Sequence, residues 1–457
     1  MSILTKGIKH KHSWVGILSG LAFGGLIYVL SSMILIHTQA MLLSLIAAMV
    51  IYWSNEAIPF GVTSLLPIIL FPAFDIAEVN QIVPNYSKSI IFLFLGGFML
   101  AIAVEKTGLH KVIATKMLRI FPETPRGMIF ALSITSGVLS SCLSNTTTTL
   151  LLMPLAFFLT TDVTLKIRFA LAIAYGASVG GITTPIGTPP NLILYGVLED
   201  KGIETLPFIQ WVLMVAPLAL LMFFVVSFVL SFGLESKKLD SVKALDALSF
   251  DQKKLMYTLG ALVLLLFANS PLEPYYPGLN LNEKAILLSF GLLMFVPPFN
   301  LLVWEDTKKI PFEIMFLFGA GFSIAYSFSH TGLSQVLAEQ LSSITTLPPL
   351  LLLLIIALLV TFTTEITSNT ALISMLLPVL YEVSERNGLD TRLFLMVATI
   401  CSSYAFMLPI ATPPNAIAMS SGVVNVQTMA KFGFFFNLAG IFLIIVFAYS
   451  YWSVWLT

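Results

Sequence analysis

Charge is scarce in this sequence. Asp, Glu, Lys and Arg make up 10% of its 457 residues, against roughly 25% in an average soluble protein. A soluble all-helical protein needs charged faces between its apolar stripes. Runs such as GILSGLAFGGLIYVL and PLALLMFFVVSFVLSF have none. Neither sign is in surplus, with 23 basic and 23 acidic residues, and no basic tail or patch points to nucleic acid. Cysteine is nearly absent. Cys142 and Cys401 sit in apolar surroundings, outside any CxxC or metal-type spacing, and both are expected to be small core residues. The five histidines are scattered and form no HExxH, which argues against a zinc intramembrane protease. No apolar segment carries a nucleophile–base pair or a nucleotide loop. Neither an enzyme nor an organic cofactor is expected.

Apolar length is what the chain has in abundance. Hydrophobic residues are 57% of it and mean hydropathy is +0.95. Its runs are about as long as the roughly 20 residues a helix needs to cross a bilayer. The fold class is therefore an all-α polytopic membrane protein, with the lipid bilayer as its surroundings. Hydropathy predicts spans at 13–36, 39–55, 60–75, 89–106 and 209–233, with broken stretches at 127–160 and 168–199. After a charged linker at 234–254 come 255–270, 284–300, 312–329 and 432–456, with broken stretches at 347–381 and 391–422. The basic start MSILTKGIKHKHSW precedes a long apolar run with no small-residue cleavage site. That pattern predicts a first transmembrane helix with a cytoplasmic start.

The chain repeats itself at one offset. FLFLGGFMLAIAVEKTGL begins at Phe92 and FLFGAGFSIAYSFSHTGL at Phe316, 224 residues later. Ser144-Asn145-Thr146 recurs as Ser368-Asn369-Thr370, GTPPN at Gly187 recurs as ATPPN at Ala411, and Pro154 recurs as Pro378, all at 224. This is the pattern of a transporter built from a duplicated unit. Suppose 127–160 and 347–381 each enter the membrane and return. Each half then makes five net crossings, and an odd number inserts the second half upside down. With the extra first helix, the expectation is 11 transmembrane helices and two re-entrant hairpins. The N-terminus is then cytoplasmic and the C-terminus outside. This topology places 18 Lys and Arg inside and 5 outside, as the positive-inside rule requires. Glu105 and Lys106, at a helix end, are expected to be solvated interface residues.

Ser, Asn and Thr are good helix N-caps, and a single SNT reads most simply as a cap. Two copies at hairpin tips near mid-membrane imply more, because irregular backbone at that depth must be buried or line a wet cavity. A helix N-terminus there suits an anion, and Asn and Thr oxygens suit a hard cation. PIGTPPN and PIATPPN each lack two N–H donors at their prolines. They break a helix and free carbonyls that can ligate sodium. Through the inverted pseudo-twofold, the two halves could converge on one site.

These motifs, with NEAIPFGVTSLLPIILFP from Asn55 to Pro72, resemble the divalent-anion/sodium symporters, the INDY-type dicarboxylate transporters. The resemblance covers nearly the whole chain. It implies a homodimer in the cell inner (plasma) membrane and an elevator motion of a transport domain against a fixed scaffold. The scaffold would be 1–125 and, with the linker, 234–335; the transport parts would be 126–233 and 336–457. One sodium site would use Ser140, Ser144, Asn145 and the backbone near Gly187. Its counterpart would use Thr364, Thr367, Asn369 and the backbone near Ala411. Dicarboxylate contacts would come from Asn145, Thr146, Thr188, Asn369, Thr370, Thr412 and Pro413.

No Lys or Arg lies in either motif pair, so two sodium ions would neutralise a buried dianion. The implied function is sodium-coupled symport of a C4-dicarboxylate such as succinate. Its rivals are a sodium-independent dicarboxylate exchanger, a citrate- or sulfate-preferring symporter and, from another class, an anion channel. Glu365 stands three residues before Ser368. It is expected to brace the hairpin rather than bind a cation, with Glu365→Gln keeping sodium-dependent uptake.

Overall fold

The computed structural model describes residues 14–235, 239, 247–271, 276–340 and 347–456. Lys6, Lys9, Lys11, Lys237, Lys238 and Lys243, expected to be cytoplasmic, lie outside the described residues, with much of the charged linker.

The first half builds α1 (Trp14–Ser31), α2 (His37–Asn55), α3 (Phe60–Ala73), the short α4 (Val79–Ile82), α5 (Ser89–Thr107) and α6 (Leu109–Leu118). It continues with α7 (Pro125–Ser140), α8 (Asn145–Phe158), α9 (Val163–Gly181), α10 (Pro189–Asp200) and α11 (Phe208–Ser231). The second half builds α12 (Phe250–Asn269), α13 (Glu283–Leu293), α14 (Phe312–His330), α15 (Leu333–Gln340) and α16 (Pro349–Thr363). Then come α17 (Asn369–Arg386), α18 (Thr391–Ser403), α19 (Pro413–Ser420), α20 (Val426–Phe447) and α21 (Ser453–Leu456), with a π-helical turn joining the last two. Among the described residues, seven helical stretches are long and apolar enough to cross a membrane.

The four stretches expected to break do so at the motifs, in the segments 141–144, 182–188, 364–368 and 404–412. Local chemistry explains the restarts. Ser144 caps α8 by accepting from the Thr147 N–H at 3.1 Å, which satisfies one of the helix's orphan donors. Pro189 and Pro413 open α10 and α19. Proline at the first helical position loses an N–H that had no partner there.

One expected span is shorter than hydropathy suggested. Instead of 284–300, α13 ends at Leu293, and eleven residues rise only about 16 Å, half a bilayer core. Beyond it the chain doubles back, and the Leu301 and Leu302 N–H groups both donate to the Met294 carbonyl at 2.8 and 2.9 Å. Pro297 and Pro298 supply no donor to continue the helix.

The 224-residue repeat is visible in the elements. Leu109, Pro125, Asn145 and Pro189 start helices, and so do Leu333, Pro349, Asn369 and Pro413. The halves are interlocked by exchanged packing. α5 packs on α13, while its counterpart α14 packs on α3. α10 lies against α17 and α18, and α19 lies against α8 and α9. Each broken helix thus carries its second segment into the other half, which brings the two motif sets together. Close backbone approach holds α7 against α9: a methyl group on Gly180 would overlap the backbone of Gly137.

Candidate functional site

A cavity of about 620 Å³ lies where the halves meet. Four segments of the repeat form its polar wall: Ser144–Thr146, Gly187–Pro190, Thr367–Thr370 and Pro409–Pro413. Trp53, Phe60, Phe94, Phe98, Ile314 and Leu317 form an apolar wall opposite. Among the described residues no lysine, arginine or histidine lines it; its ionisable lining residues are Glu56 and Cys142.

All seven residues expected to touch a dicarboxylate, Asn145, Thr146, Thr188, Asn369, Thr370, Thr412 and Pro413, line this one cavity. Of the sodium set, Ser144, Gly187, Thr367 and Ala411 line it as well. Ser140 and Thr364 are fully buried one layer behind. Each reaches the asparagine of its own motif: Ser140 Oγ donates to Asn145 Oδ1, and Thr364 Oγ1 to Asn369 Oδ1 at 2.5 Å.

The donor atoms in both places are oxygens. Thr364 Oγ1 lies within hydrogen-bonding distance of both Asn369 Oδ1 and the Ser402 carbonyl, the latter at 3.0 Å. One hydroxyl proton cannot serve two acceptors, so three oxygens gather around a single hydrogen. In the first half, a methyl group on Gly181 would sit 2.9 Å from Asn145 Oδ1 and 3.3 Å from the Gly187 carbonyl. Only a glycine leaves those oxygens room. Clusters of neutral oxygens of this kind fit a hard monovalent cation; among the described residues no His, Cys, Asp and Glu cluster fits a transition metal.

Some participants were missed at the sequence level. The TPPN asparagines do not face the cavity. Asn191 Nδ2 donates to the Thr184 carbonyl at 2.9 Å, and Asn415 Nδ2 donates to the Ala405 and Leu408 carbonyls at 2.9 and 3.0 Å. They hold the broken segments in shape, and their repetition at 224 was the available signal. The aromatic wall and the Ser402 carbonyl carried no motif. Cys142 corrects an expectation: Cys401 is buried, but Cys142 is exposed and lines the cavity, because the turn between α7 and α8 carries it out of the core. Glu365 braces the second broken helix. It is buried, and its carboxylate accepts from the Met407 and Leu408 N–H groups, each at 2.9 Å, and from Asn437 Nδ2 at 2.6 Å.

Residues 46–388 match the citrate transporter family model. The chain is 30% identical to the sodium-dependent dicarboxylate transporter SdcS of Staphylococcus saprophyticus, over 96% of this chain and 92% of that one. It is also 30% identical to SdcS of Staphylococcus aureus, over 98% and 94%. The chain belongs to the divalent-anion/sodium symporters. This symporter is accordingly a multi-pass membrane transporter and not an enzyme. Its fold is shared with more distant transporters. The Alcanivorax borkumensis YdaH transporter aligns with a TM-score of 0.57 at 15% identity, over 80% of this chain and 86% of that one. The Neisseria gonorrhoeae efflux pump MtrF aligns with 0.59 at 12% identity, over 94% and 96%.

Proposed function

We propose that the protein couples sodium to the uptake of a C4-dicarboxylate such as succinate across the plasma membrane. One observation carries the reading: both SNT tips and both TPPN loops line a single cavity to which the described residues contribute no cationic side chain. A dianion buried there needs compensating charge, and the two oxygen clusters offer places for cations. Asn145, with Ser140, Ser144 and the Gly187 carbonyl, would hold one sodium ion. Asn369, with Thr364, Thr367 and the Ala411 carbonyl, would hold the other.

The carboxylates would be received by the hydroxyls of Thr146, Thr188, Thr370 and Thr412. The positive ends of α8 and α17, which begin at the cavity, would favour them further. The ring of Pro413 would pack on the carbon chain. Since each asparagine serves both ligands, sodium binding orders the anion site, which is a physical route to obligatory coupling. SdcS is described by its name as sodium-dependent and dicarboxylate-transporting, which supports this choice over an exchanger or a channel. The description of the matched family model raises citrate as a second candidate.

Alternating access would follow from re-entrant hairpins α7–α8 and α16–α17 moving with α9–α11 and α18–α21. They would move against a scaffold of the remaining helices, within a homodimer of 11-helix protomers. The N-terminus would be inside and the C-terminus outside. Radiolabelled succinate uptake into proteoliposomes tests the reading. Uptake should follow an imposed sodium gradient, and Asn145→Ala and Asn369→Ala should each lower it by more than about tenfold, as loss of hydrogen bonds to charged ligands does. Normal transport by both variants would place the site elsewhere. Citrate that competes more strongly than succinate would reassign the substrate.

A further inference from the structure

The two hairpin tips are duplicates, but they are braced by different chemistry. In the first half the Thr184 hydroxyl donates to the Ser141 carbonyl, a neutral link between the tip and the broken helix. At the 224 offset these residues become Leu408 and Glu365. Leucine has no hydroxyl, and the connection is rebuilt around a carboxylate. Glu365 is 3% exposed, and every partner it has here is a donor: two backbone N–H groups and the Asn437 amide. Asn437 Oδ1 in turn accepts from the Phe406 N–H at 3.2 Å, and Asn415 takes the Ala405 and Leu408 carbonyls. Glu365, Asn437 and Asn415 thereby satisfy the polar backbone of 405–408, which leads directly to Ala411 and Thr412 on the cavity wall. The residue before Glu365 is Thr364, whose hydroxyl sits in the oxygen cluster with Asn369 and Ser402.

We propose that Glu365 is a positioning residue for sodium: it fixes the 404–412 segment and supplies a buried negative charge that gives the second-half cation site its affinity. The two sodium sites are then inequivalent, the one in the second half being charge-assisted and its counterpart neutral. This inference rests on the sodium-coupled reading above. On this inference Glu365→Gln weakens sodium activation. A carboxylate offers acceptors to all three donors, whereas glutamine turns a donor toward one of them, and a buried donor facing a donor is costly.

The test is sodium activation of succinate uptake by purified protein in proteoliposomes. Glu365→Gln should raise the half-activating sodium concentration about tenfold, with the succinate KM at saturating sodium changed less than about twofold. Thr184→Val, which removes the neutral link of the first half, should shift sodium activation less. The double variant Glu365→Gln/Asn437→Asp returns a carboxylate to the same cluster, and it should recover sodium activation to within about threefold of wild type. The sodium-dependent rise in Tm of detergent-purified protein reads the same affinity without transport, and should shrink in Glu365→Gln and return in the double variant. If Glu365→Gln does not fold, Asn437→Ser removes one of the three donors and should raise half-activating sodium by about threefold. Wild-type sodium dependence in Glu365→Gln, a succinate KM that moves as much as the sodium value, or no recovery in the double variant would each overturn the inference. If Asn145→Ala and Asn369→Ala lose sodium activation while Glu365→Gln keeps it, the inference alone fails. If all three keep it, the sodium site itself is wrong.

Discussion

The two ends of the helix bundle are tied in opposite ways. At the end where α5 begins, ion pairs cross between the proposed moving and fixed parts. Lys88 pairs with Asp200, and Lys284 with Glu199 at 2.6 Å. Ser89 Oγ donates to the same Glu199 carboxylate at 2.9 Å. Lys201 crosses as well, donating to the Ser329 hydroxyl at 2.9 Å, while its pair with Glu382 at 3.4 Å and its contact with the Tyr381 ring at 4.4 Å stay within the proposed moving part. These links tie the end of α10 to α5, α13, α14 and α17. At the other end of α5, about 28 Å away, the pairs stay within the proposed scaffold. Lys106 pairs with Asp306 at 2.5 Å, and Lys309 with Glu105 at 3.0 Å.

The cavity reaches toward that second end. Ser54 in the last turn of α2, Glu56 just after it, Ala101 on α5 and Ile314 in the first turn of α14 line it, all towards the Lys106 end. This contrast locates the control of access. Among the described residues, the ion pairs that cross the proposed moving boundary lie on the side away from the cavity mouth, and those on the side where the cavity opens stay within the proposed scaffold. On the proposed topology the untied side is cytoplasmic, and this arrangement would then be the inward-open state of the proposed cycle.

Breaking the tied end should therefore shift the conformational balance. Cys142 reports it, being exposed on the cavity wall while Cys401 is buried. Glu199→Lys brings a fourth cation among Lys88, Lys201 and Lys284. It should slow maleimide labelling of Cys142 by about fivefold, as the loss of roughly 1 kcal/mol from a partly buried pair would require. Unchanged labelling would mean that the ties do not select the state. A smaller effect is expected from Ser329→Ala, which removes the one hydrogen bond that Lys201 makes across the proposed boundary but leaves Lys201 its contacts with Glu382 and Tyr381. Labelling should slow by about twofold, and a mass shift counted over time measures it.

The repeat made the most of this molecule legible in its sequence. The four helix breaks, the paired asparagines and the threonines of the cavity were all legible, because polar residues duplicated at one offset inside apolar segments point to a shared site. Length was less legible. α13 stops at Leu293 because of backbone doubling that hydropathy cannot register. Residues that act through partners far along the chain were hidden. Glu365 meets Asn437 across 72 residues, and Lys201 meets Glu382 across 181. Lys106 and Glu105 looked like solvated helix-end charges, and only the fold pairs them with Asp306 and Lys309. Cys142 read as core because it lies within a long, mostly apolar stretch, yet the turn it occupies faces the cavity.

The untied end supplies the smallest predicted effect and the sharpest control. The Lys106–Asp306 pair joins two parts of the proposed scaffold and would be made in every state of the moving part, so Asp306→Asn should leave Cys142 labelling within about 1.5-fold of wild type. The pH dependence follows from the same contact. The Lys106 ammonium and the Val303 N–H hold the Asp306 carboxyl below the usual carboxylate range. A depressed folded value means that the contribution of the pair is complete above the ordinary Asp value of about 3.9. It is lost only as pH falls through the lower folded value. The ratio of labelling rates between Asp306→Asn and wild type should therefore be flat between about pH 5 and 8. A step in that ratio, or a change as large as that of Glu199→Lys, would mean that the two ends control access equally.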